Sequence, residues 1–119
     1  MRIAFFDAKA YDKPSFEQFG AEHGIKFKFY ETKLTEDTAE LARNCDGICA
    51  FVNDTLDAAV LDKLAELECK YIAMRCAGYN NVDLKAAANS GLRVVNVPAY
   101  SPYAVAEHAM ALLLTSVRR

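Results

Sequence analysis

The chain has 119 residues, of which 53% are hydrophobic and 25% are charged, and its formal net charge is −2 at pH 7. This length and composition are typical of one globular domain. The slightly acidic balance, without a Lys/Arg cluster among aromatic residues, argues against nucleic-acid binding, and no apolar run is long enough to cross a membrane.

The cysteines show no spacing typical of a metal site or of a disulfide framework. They are Cys45, Cys49, Cys69 and Cys76, and none belongs to a C-x-x-C pair. The first residues already resemble a strand rather than a signal peptide. We therefore expect no metal, reduced thiols, and a soluble cytoplasmic protein.

Strand-like and helix-like segments alternate along the whole chain. Strands are predicted at Ile3–Phe6, Ile25–Phe29, Gly47–Val52, Tyr71–Met74 and Leu92–Val97. Helices are predicted from Asp12 to Gly24, from Thr35 to about Arg43, from Asp57, from Leu84 to Asn89 and from Ser101.

Two of the strands differ in their pattern, and this difference predicts the order of the sheet. Ile25–Phe29 alternates apolar and basic residues, as a half-exposed edge strand does, whereas Gly47–Val52 is apolar throughout, as a covered strand is. Alternating strands and helices indicate a parallel sheet with helices on both faces. The fold class is therefore predicted to be α/β, a doubly wound flavodoxin-like sheet of five strands in the order 2-1-3-4-5.

A bend at Arg75–Asp83 is the first candidate binding site. It lies between a buried strand and a helix, where free backbone N–H groups can bind an anion. Ala77 and Gly78 have almost no side chain to keep a small carboxylate or phosphate from these groups. The alternative is that Gly78 only allows a tight turn.

In such a sheet, ligands bind beyond the carboxyl ends of the strands. Tyr100 lies between the last strand and a helix start, on the same edge as Gly78, so its ring could form one wall of a small-ligand site. A packed surface tyrosine is the alternative.

No complete catalytic set is present in the sequence. Glu107 and His108 are adjacent, and neighbours on a helix project about 100° apart, so they do not form an acid–base pair. Asp7 and Asp12 could suggest the acidic pocket of a receiver domain, but the Asp and Lys that such a domain needs at later strand ends are missing. There is also no G-x-G-x-x-G dinucleotide motif.

The last predicted helix is apolar around its whole circumference from Ala109 to Leu114. One small sheet covers only one side of a helix, so this pattern predicts a partner, either a second copy of the chain or further sequence. The alternative is a helix that ends with its leucines exposed.

Two stretches carry a resemblance to a known family. Arg75-Cys76-Ala77-Gly78-Tyr79-Asn80-Asn81-Val82-Asp83 and Val97-Pro98-Ala99-Tyr100-Ser101-Pro102-Tyr103-Ala104-Val105-Ala106-Glu107-His108 resemble the NAD-dependent D-2-hydroxyacid dehydrogenases, most closely their D-lactate dehydrogenase branch. The resemblance covers essentially the whole chain and includes the opening Ile3–Asp7 with Tyr11-Asp12.

The resemblance implies a role for particular residues. The amides of Ala77 and Gly78 would hold the carboxylate of a 2-oxoacid such as pyruvate, Tyr100 would line the pocket, and Val105 would approach the nicotinamide of NAD. In the family, the catalytic Arg, Glu and His come from later sequence, so no catalytic residue is assigned here. Arg75 is expected to support the loop instead.

The resemblance also implies a domain division. Residues 1–100 would form the substrate-binding domain, and residues 101–119 the interdomain helix that leads to an NAD-binding domain and helps to form a homodimer. The chain alone is expected to be inactive. The competing hypothesis is a non-catalytic, self-associating flavodoxin-like interaction module.

Overall fold

The structure is a computed structural model, and it describes residues 1–51, 53–75, 81–96 and 111. The elements in chain order are β1 (Arg2–Phe5), α1 (Asp12–His23), β2 (Lys26–Phe29), a 3₁₀-helix (Ala39–Ala42), β3 (Gly47–Ala50), α2 (Ala58–Glu66), β4 (Tyr71–Met74), α3 (Leu84–Asn89) and β5 (Arg93–Asn96). The expected helix from Ser101 lies outside the described residues, apart from Ala111, which is helical and exposed.

The five strands form one parallel sheet in the order β2-β1-β3-β4-β5. This confirms the order predicted from the sequence. The two patterns on which the prediction rested are also confirmed, since β2 lies at the edge with exposed Lys26 and Lys28, and every residue of β3 is buried. Parallel strands covered on both faces are apolar throughout, because neither face meets water.

Helices cover both faces of the sheet. On one face, α2, α3 and the 3₁₀-helix bury a large apolar cluster that includes Ile48, Leu61 and Ile72. On the other face, α1 buries a smaller cluster in which Phe16 contacts Phe5 edge to face, with ring centroids 4.6 Å apart. The sheet is therefore the middle of three layers, and its carboxyl edge remains for loops.

The three α-helices whose bounds the structure describes end in the same way. A residue in the left-handed conformation follows each helix: Gly24 (φ 72°), Glu68 (φ 68°) and Gly91 (φ 74°). The N–H of the next residue donates to the carbonyl five positions earlier, at 2.8, 3.0 and 2.9 Å respectively. This is the Schellman arrangement, in which glycine is the usual left-handed residue. Glu68 is thus the exception among the three.

The helix predicted from Thr35 to Arg43 is wrong in extent, since only Ala39–Ala42 form a short 3₁₀-helix. The reason lies in two threonines. Thr35 N–H donates to Thr38 Oγ1 at 2.8 Å, and Thr38 Oγ1 donates to the carbonyl of Lys33 at 2.7 Å. Hydroxyl groups that bond to nearby main chain in this way compete with helical hydrogen bonds.

The strand β3 is also shorter than predicted. β3 ends at Ala50, because the N–H of Phe51 donates to the side chain of Asp54 instead of to a neighbouring strand. β5 is described from Arg93 to Asn96, and Val97 lies outside the described residues.

Candidate functional site at the carboxyl edge of the sheet

Three loops meet at the carboxyl edge of the sheet. They are the β1–α1 loop, the β3–α2 loop and the loop that follows β4. Parallel strands bring these loops to the same edge, and buried side-chain contacts join their described residues. The structure includes Arg75 and residues 81–83 of the third loop, whereas Ala77 and Gly78, together with Tyr100 and Val105, lie outside the described residues.

Arg75 follows β4 directly and is only 4% exposed. Its guanidinium carbon lies 4.1 Å from the centre of the Phe5 ring and 4.9 Å from that of Phe51. Nη1 donates to Asp12 Oδ2 at 3.2 Å, and Nη2 donates to the carbonyl of Phe6. The ring contacts and these two oxygens hold the planar, permanently charged guanidinium in place.

Asp12 receives a second hydrogen bond, which joins the β1–α1 loop to the start of α1. Its Oδ2 accepts from Lys9 N–H at 2.8 Å, while Lys9 Nζ donates to Asp7 Oδ1 at 2.9 Å. The hydrogen bond to Asp7 raises the pKa of the Lys9 ammonium. Asp7 is itself buried and has a left-handed backbone (φ 52°), which aspartate tolerates better than most residues.

These contacts argue against the receiver-domain alternative. Asp7 and Asp12 are not two free carboxylates that face a common cation, because each is engaged by a basic side chain of this chain. Among the described residues, no group of three or more His, Cys, Asp or Glu side chains is placed to hold a metal ion.

Asp54 and Asn81 form the second set of contacts at this edge. Asp54 Oδ1 accepts from Leu34 N–H and Oδ2 from Phe51 N–H, both at 2.7 Å. Asn81 Nδ2 donates to the carbonyls of Phe51 and Asp54, at 3.1 and 2.9 Å. Burial raises the pKa of the Asp54 carboxyl, and the two main-chain donors oppose that shift.

The described residues on either side of segment 76–80 are held by contacts of their own. At its start, Arg75 N–H donates to the carbonyl of Ala50 at 2.8 Å, and the Arg75 side chain is buried. At its end, Leu56 N–H donates to the carbonyl of Asn81 at 3.2 Å, and Leu56 pairs with Val82 in an isolated parallel bridge. The sequence indicated this segment but not the contacts of Asp54 and Asn81. Its only signal for them was Asn53-Asp54, a pair of residues typical of turns.

Cys49 is a buried thiol on β3, close to Arg75. Burial raises its pKa to about 12, although the nearby guanidinium acts in the opposite direction. A thiol of this kind stays protonated near neutral pH and is not a nucleophile. His23 is the only histidine in the part of the chain that the structure describes, and it is exposed at the end of α1, at the other edge of the sheet.

The described part of this edge does not offer a site for a dinucleotide. Asp7, Asp12 and Asp54 are buried carboxylates, of which the first two pair with Lys9 and Arg75, and no described glycine lies in these loops. A pyrophosphate needs main-chain N–H groups at a glycine-rich turn.

Among the described residues, no helix is both long and apolar enough to span a membrane.

Comparison with known proteins agrees with this geometry. A sequence model of the family described as "D-isomer specific 2-hydroxyacid dehydrogenase, catalytic domain" matches residues 3–115. The whole chain is 49% identical to a "2-hydroxyacid dehydrogenase homolog" of Haemophilus influenzae and 48% identical to the D-lactate dehydrogenase of Escherichia coli. The chain spans about 36% of the length of these relatives.

Solved structures show the same likeness. The apo-structure of D-lactate dehydrogenase from Escherichia coli superposes with a TM-score of 0.81 and 48% identity, over 97% of this chain and 37% of that chain. The NAD-complexed D-isomer specific 2-hydroxyacid dehydrogenase from Lactobacillus delbrueckii ssp. bulgaricus gives a TM-score of 0.76 at 27% identity, over 99% of this chain and 36% of that chain. The sheet order, the convergent loops and the family match over nearly all residues lead to one conclusion: the chain belongs to the D-isomer specific 2-hydroxyacid dehydrogenase family.

Proposed function

We propose that this chain supplies the substrate-binding part of an NAD-dependent D-2-hydroxyacid dehydrogenase of the D-lactate dehydrogenase type. The reaction would be hydride transfer between NADH and a 2-oxoacid such as pyruvate. The observation that carries the proposal is the 48% identity to the D-lactate dehydrogenase of Escherichia coli along the whole chain.

The proposed substrate site is the segment 76–80. The amides of Ala77 and Gly78 would bind the carboxylate of the 2-oxoacid, and Tyr100 would line the pocket. The geometry of the flanking residues supports this assignment, because Arg75 and Asn81 are both fixed at the edge where ligands bind in parallel sheets.

The remaining roles follow from the same family membership. Residues 1–100 would form the substrate-binding domain, and residues 101–119 the helix that leads to an NAD-binding domain, with Val105 near the nicotinamide and a homodimer as the working assembly. NAD would supply the hydride and bind mainly outside this chain. The catalytic Arg, Glu and His would also lie outside it, so the 119-residue chain alone should have no turnover.

The free, buried thiols of Cys45, Cys49 and Cys69 favour a reducing compartment, in line with a cytoplasmic enzyme. The competing hypothesis of a non-catalytic interaction module is not favoured, because the match to a catalytic-domain family covers residues 3–115.

A chimera tests the proposal directly. Residues 1–119 would replace the matching stretch of the Escherichia coli D-lactate dehydrogenase, and NADH oxidation with pyruvate would be followed by absorbance. We expect turnover by the chimera and none by the 119-residue chain. A folded chimera that binds NADH but does not reduce any 2-oxoacid would refute the proposal.

Two variants of the chimera test the assignment of the amides. Gly78→Val should raise KM for pyruvate about tenfold or more, because the branched side chain would keep the carboxylate from the amides, and a lost hydrogen bond to a charged group costs about 1.5–3 kcal/mol. Ala88→Val, on the exposed surface of α3, is the matched control and should leave KM unchanged. Equal KM values for the two variants would remove Gly78 from the site.

A further inference from the structure

We infer that the free edge of β2 is a docking site for an extended segment of another protein in which acidic and apolar side chains alternate. Such a segment would add to β2 as a further strand, with its carboxylates beside Lys26 and Lys28. None of these residues belongs to the loops at the carboxyl edge, so the docking site is independent of the proposed dehydrogenase function.

The main chain of β2 is open on one side. The strand lies at the end of the sheet, and β1 is its only partner among the described strands. The N–H groups of Lys26 and Tyr30 donate to carbonyls on the β1 side, both at 2.8 Å. Because main-chain groups alternate in direction along a strand, those of Phe27 and Phe29 point away from β1. Edge groups of this kind can pair with an added strand.

The side chains of β2 differ between its two faces. Lys26 and Lys28 are exposed, and neither forms an ion pair with a residue that the structure describes. Phe27 and Phe29 are half-buried on the opposite face, where they pack against the smaller apolar cluster. An added strand would therefore meet two ammonium groups on one face and the exposed parts of two aromatic rings on the other. Alternating acidic and apolar side chains match this edge.

A third cation adds to the positive charge on the lysine face. Arg2 is exposed and is the registered partner of Lys26 on β1. Burial raises the pKa of the Cys45 thiol, and Lys28 and Arg2 both oppose that shift, so both lie near this thiol. Asp46 accepts from the main-chain N–H of Arg2 and forms no ion pair with its guanidinium. Like charges side by side on neighbouring strands repel one another, and an added carboxylate would reduce that repulsion.

The lysines also select among possible partners. A second copy of the chain at this edge would place lysines beside lysines, and lysine on an edge strand disfavours such self-pairing. A strand with acidic side chains would instead form an opposite-charge pair at each lysine. The edge strand has only four residues, so we expect a weak, transient contact.

The test uses the 119-residue chain labelled with ¹⁵N and a synthetic peptide in which Glu and Val alternate. We expect the amide resonances of residues 26–29 to shift, and hydrogen exchange of the Phe27 and Phe29 amides to slow about tenfold near saturation. A peptide of the same length in which Lys and Val alternate should bind at least about tenfold more weakly. Inorganic tripolyphosphate, a polyanion without a main chain, should not slow the exchange of either amide.

Charge reversal at the edge provides matched variants. Lys26→Glu combined with Lys28→Glu should reverse the preference, so that the Lys/Val peptide binds at least about tenfold more tightly than the Glu/Val peptide. Lys33→Glu combined with Lys85→Glu changes the net charge equally at exposed positions outside β2, and it should keep the wild-type preference. Circular dichroism checks that both variants fold, and the peptide series on the wild type is decisive without them.

Three outcomes would overturn the docking site. One is the absence of shifts at residues 26–29 with the Glu/Val peptide, or equal binding of the two peptides. Another is a set of shifts without slower exchange at Phe27 and Phe29, which would mean that the lysines hold an anion without strand addition. The third is concentration-dependent shifts of the same residues without peptide, which would mean that a second copy occupies the edge.

Discussion

Asp54 gives the sharpest single test of how the loops at the carboxyl edge are held together. Its two carboxylate oxygens each accept one main-chain N–H at 2.7 Å, from Leu34 and from Phe51. Replacing Asp54 by Asn keeps the shape but leaves one acceptor, so one N–H faces an NH₂ group instead of an oxygen. The β3–α2 loop should therefore lose one of its two anchors.

The magnitude follows from two opposing terms. A hydrogen bond to a charged group contributes about 1.5–3 kcal/mol. Part of this loss is offset, because burial disfavours the charged form of Asp54, as its raised pKa indicates, and asparagine has no charge to bury. We expect a net loss of about 1–2 kcal/mol in the free energy of unfolding. Asp37→Asn, an exposed aspartate, should change stability by less than about 0.5 kcal/mol.

Urea unfolding followed by circular dichroism measures both variants, and its pH dependence adds an independent check. A carboxyl whose pKa is raised in the folded state binds more protons when folded than when unfolded. Its contribution to stability therefore falls as pH rises from about 4, the ordinary value, through the higher folded pKa. Across this range, the stability of Asp54→Asn should fall less, or rise more, than that of the wild type.

The reasoning about Asp54 would be refuted by equal stability of Asp54→Asn and Asp37→Asn. It would also be refuted if the difference in the free energy of unfolding between the wild type and Asp54→Asn widened with rising pH. Equal stability would mean that Asp54 is not held by these main-chain donors, and a widening difference would mean that the donors, rather than burial, dominate the pKa of Asp54.

Two further predictions concern other parts of the molecule. Glu68→Gly should raise the free energy of unfolding by about 0.5–1 kcal/mol, because glycine takes the left-handed conformation at φ 68° without strain. Gly91→Ala should lower it by about 1 kcal/mol, because alanine is strained at φ 74° even though there is open space around its Cβ. Urea midpoints measure both, and a destabilised Glu68→Gly would contradict the argument. Burial raises the pKa of Cys49 to about 12, so its thiol should resist iodoacetamide at pH 8 in the folded chain and react in urea. Mass spectrometry of the peptide that contains Cys49 measures the labelling, and equal rates in the two states would contradict its burial.

The sequence was sufficient for the order of the sheet because the deciding information is local. The alternation of Lys26 and Lys28 with phenylalanines identifies an edge strand, and the apolar run from Gly47 identifies a covered one. The start of α2 could also be predicted from local sequence, because Asp57 is an N-cap whose Oδ1 accepts from Val60 N–H at 3.0 Å.

The buried contacts of the site could not be predicted in the same way. Arginine is rarely buried, and the partner that allows it, Asp12, is 63 residues away in sequence. The sequence placed Arg75 in a supporting role, but it did not show that the residue is buried or to what it binds. The helix predicted from Thr35 failed for a related reason, because propensity does not reveal that a hydroxyl group will take the hydrogen bond instead. The roles of Ala77, Gly78, Tyr100 and Val105 stay predictions.

The contact between Arg75 and Asp12 has a consequence for recombining this chain with its relatives. A crossover between these two positions with a parent that lacks either the arginine or the aspartate leaves the other charge buried and unmatched, which costs several kcal/mol. Grafting the 75–83 loop alone from such a parent carries the same penalty. Exchanges that begin before Asp12 and end after β5 keep the two partners from a single parent, and libraries built on those boundaries should contain far more folded members.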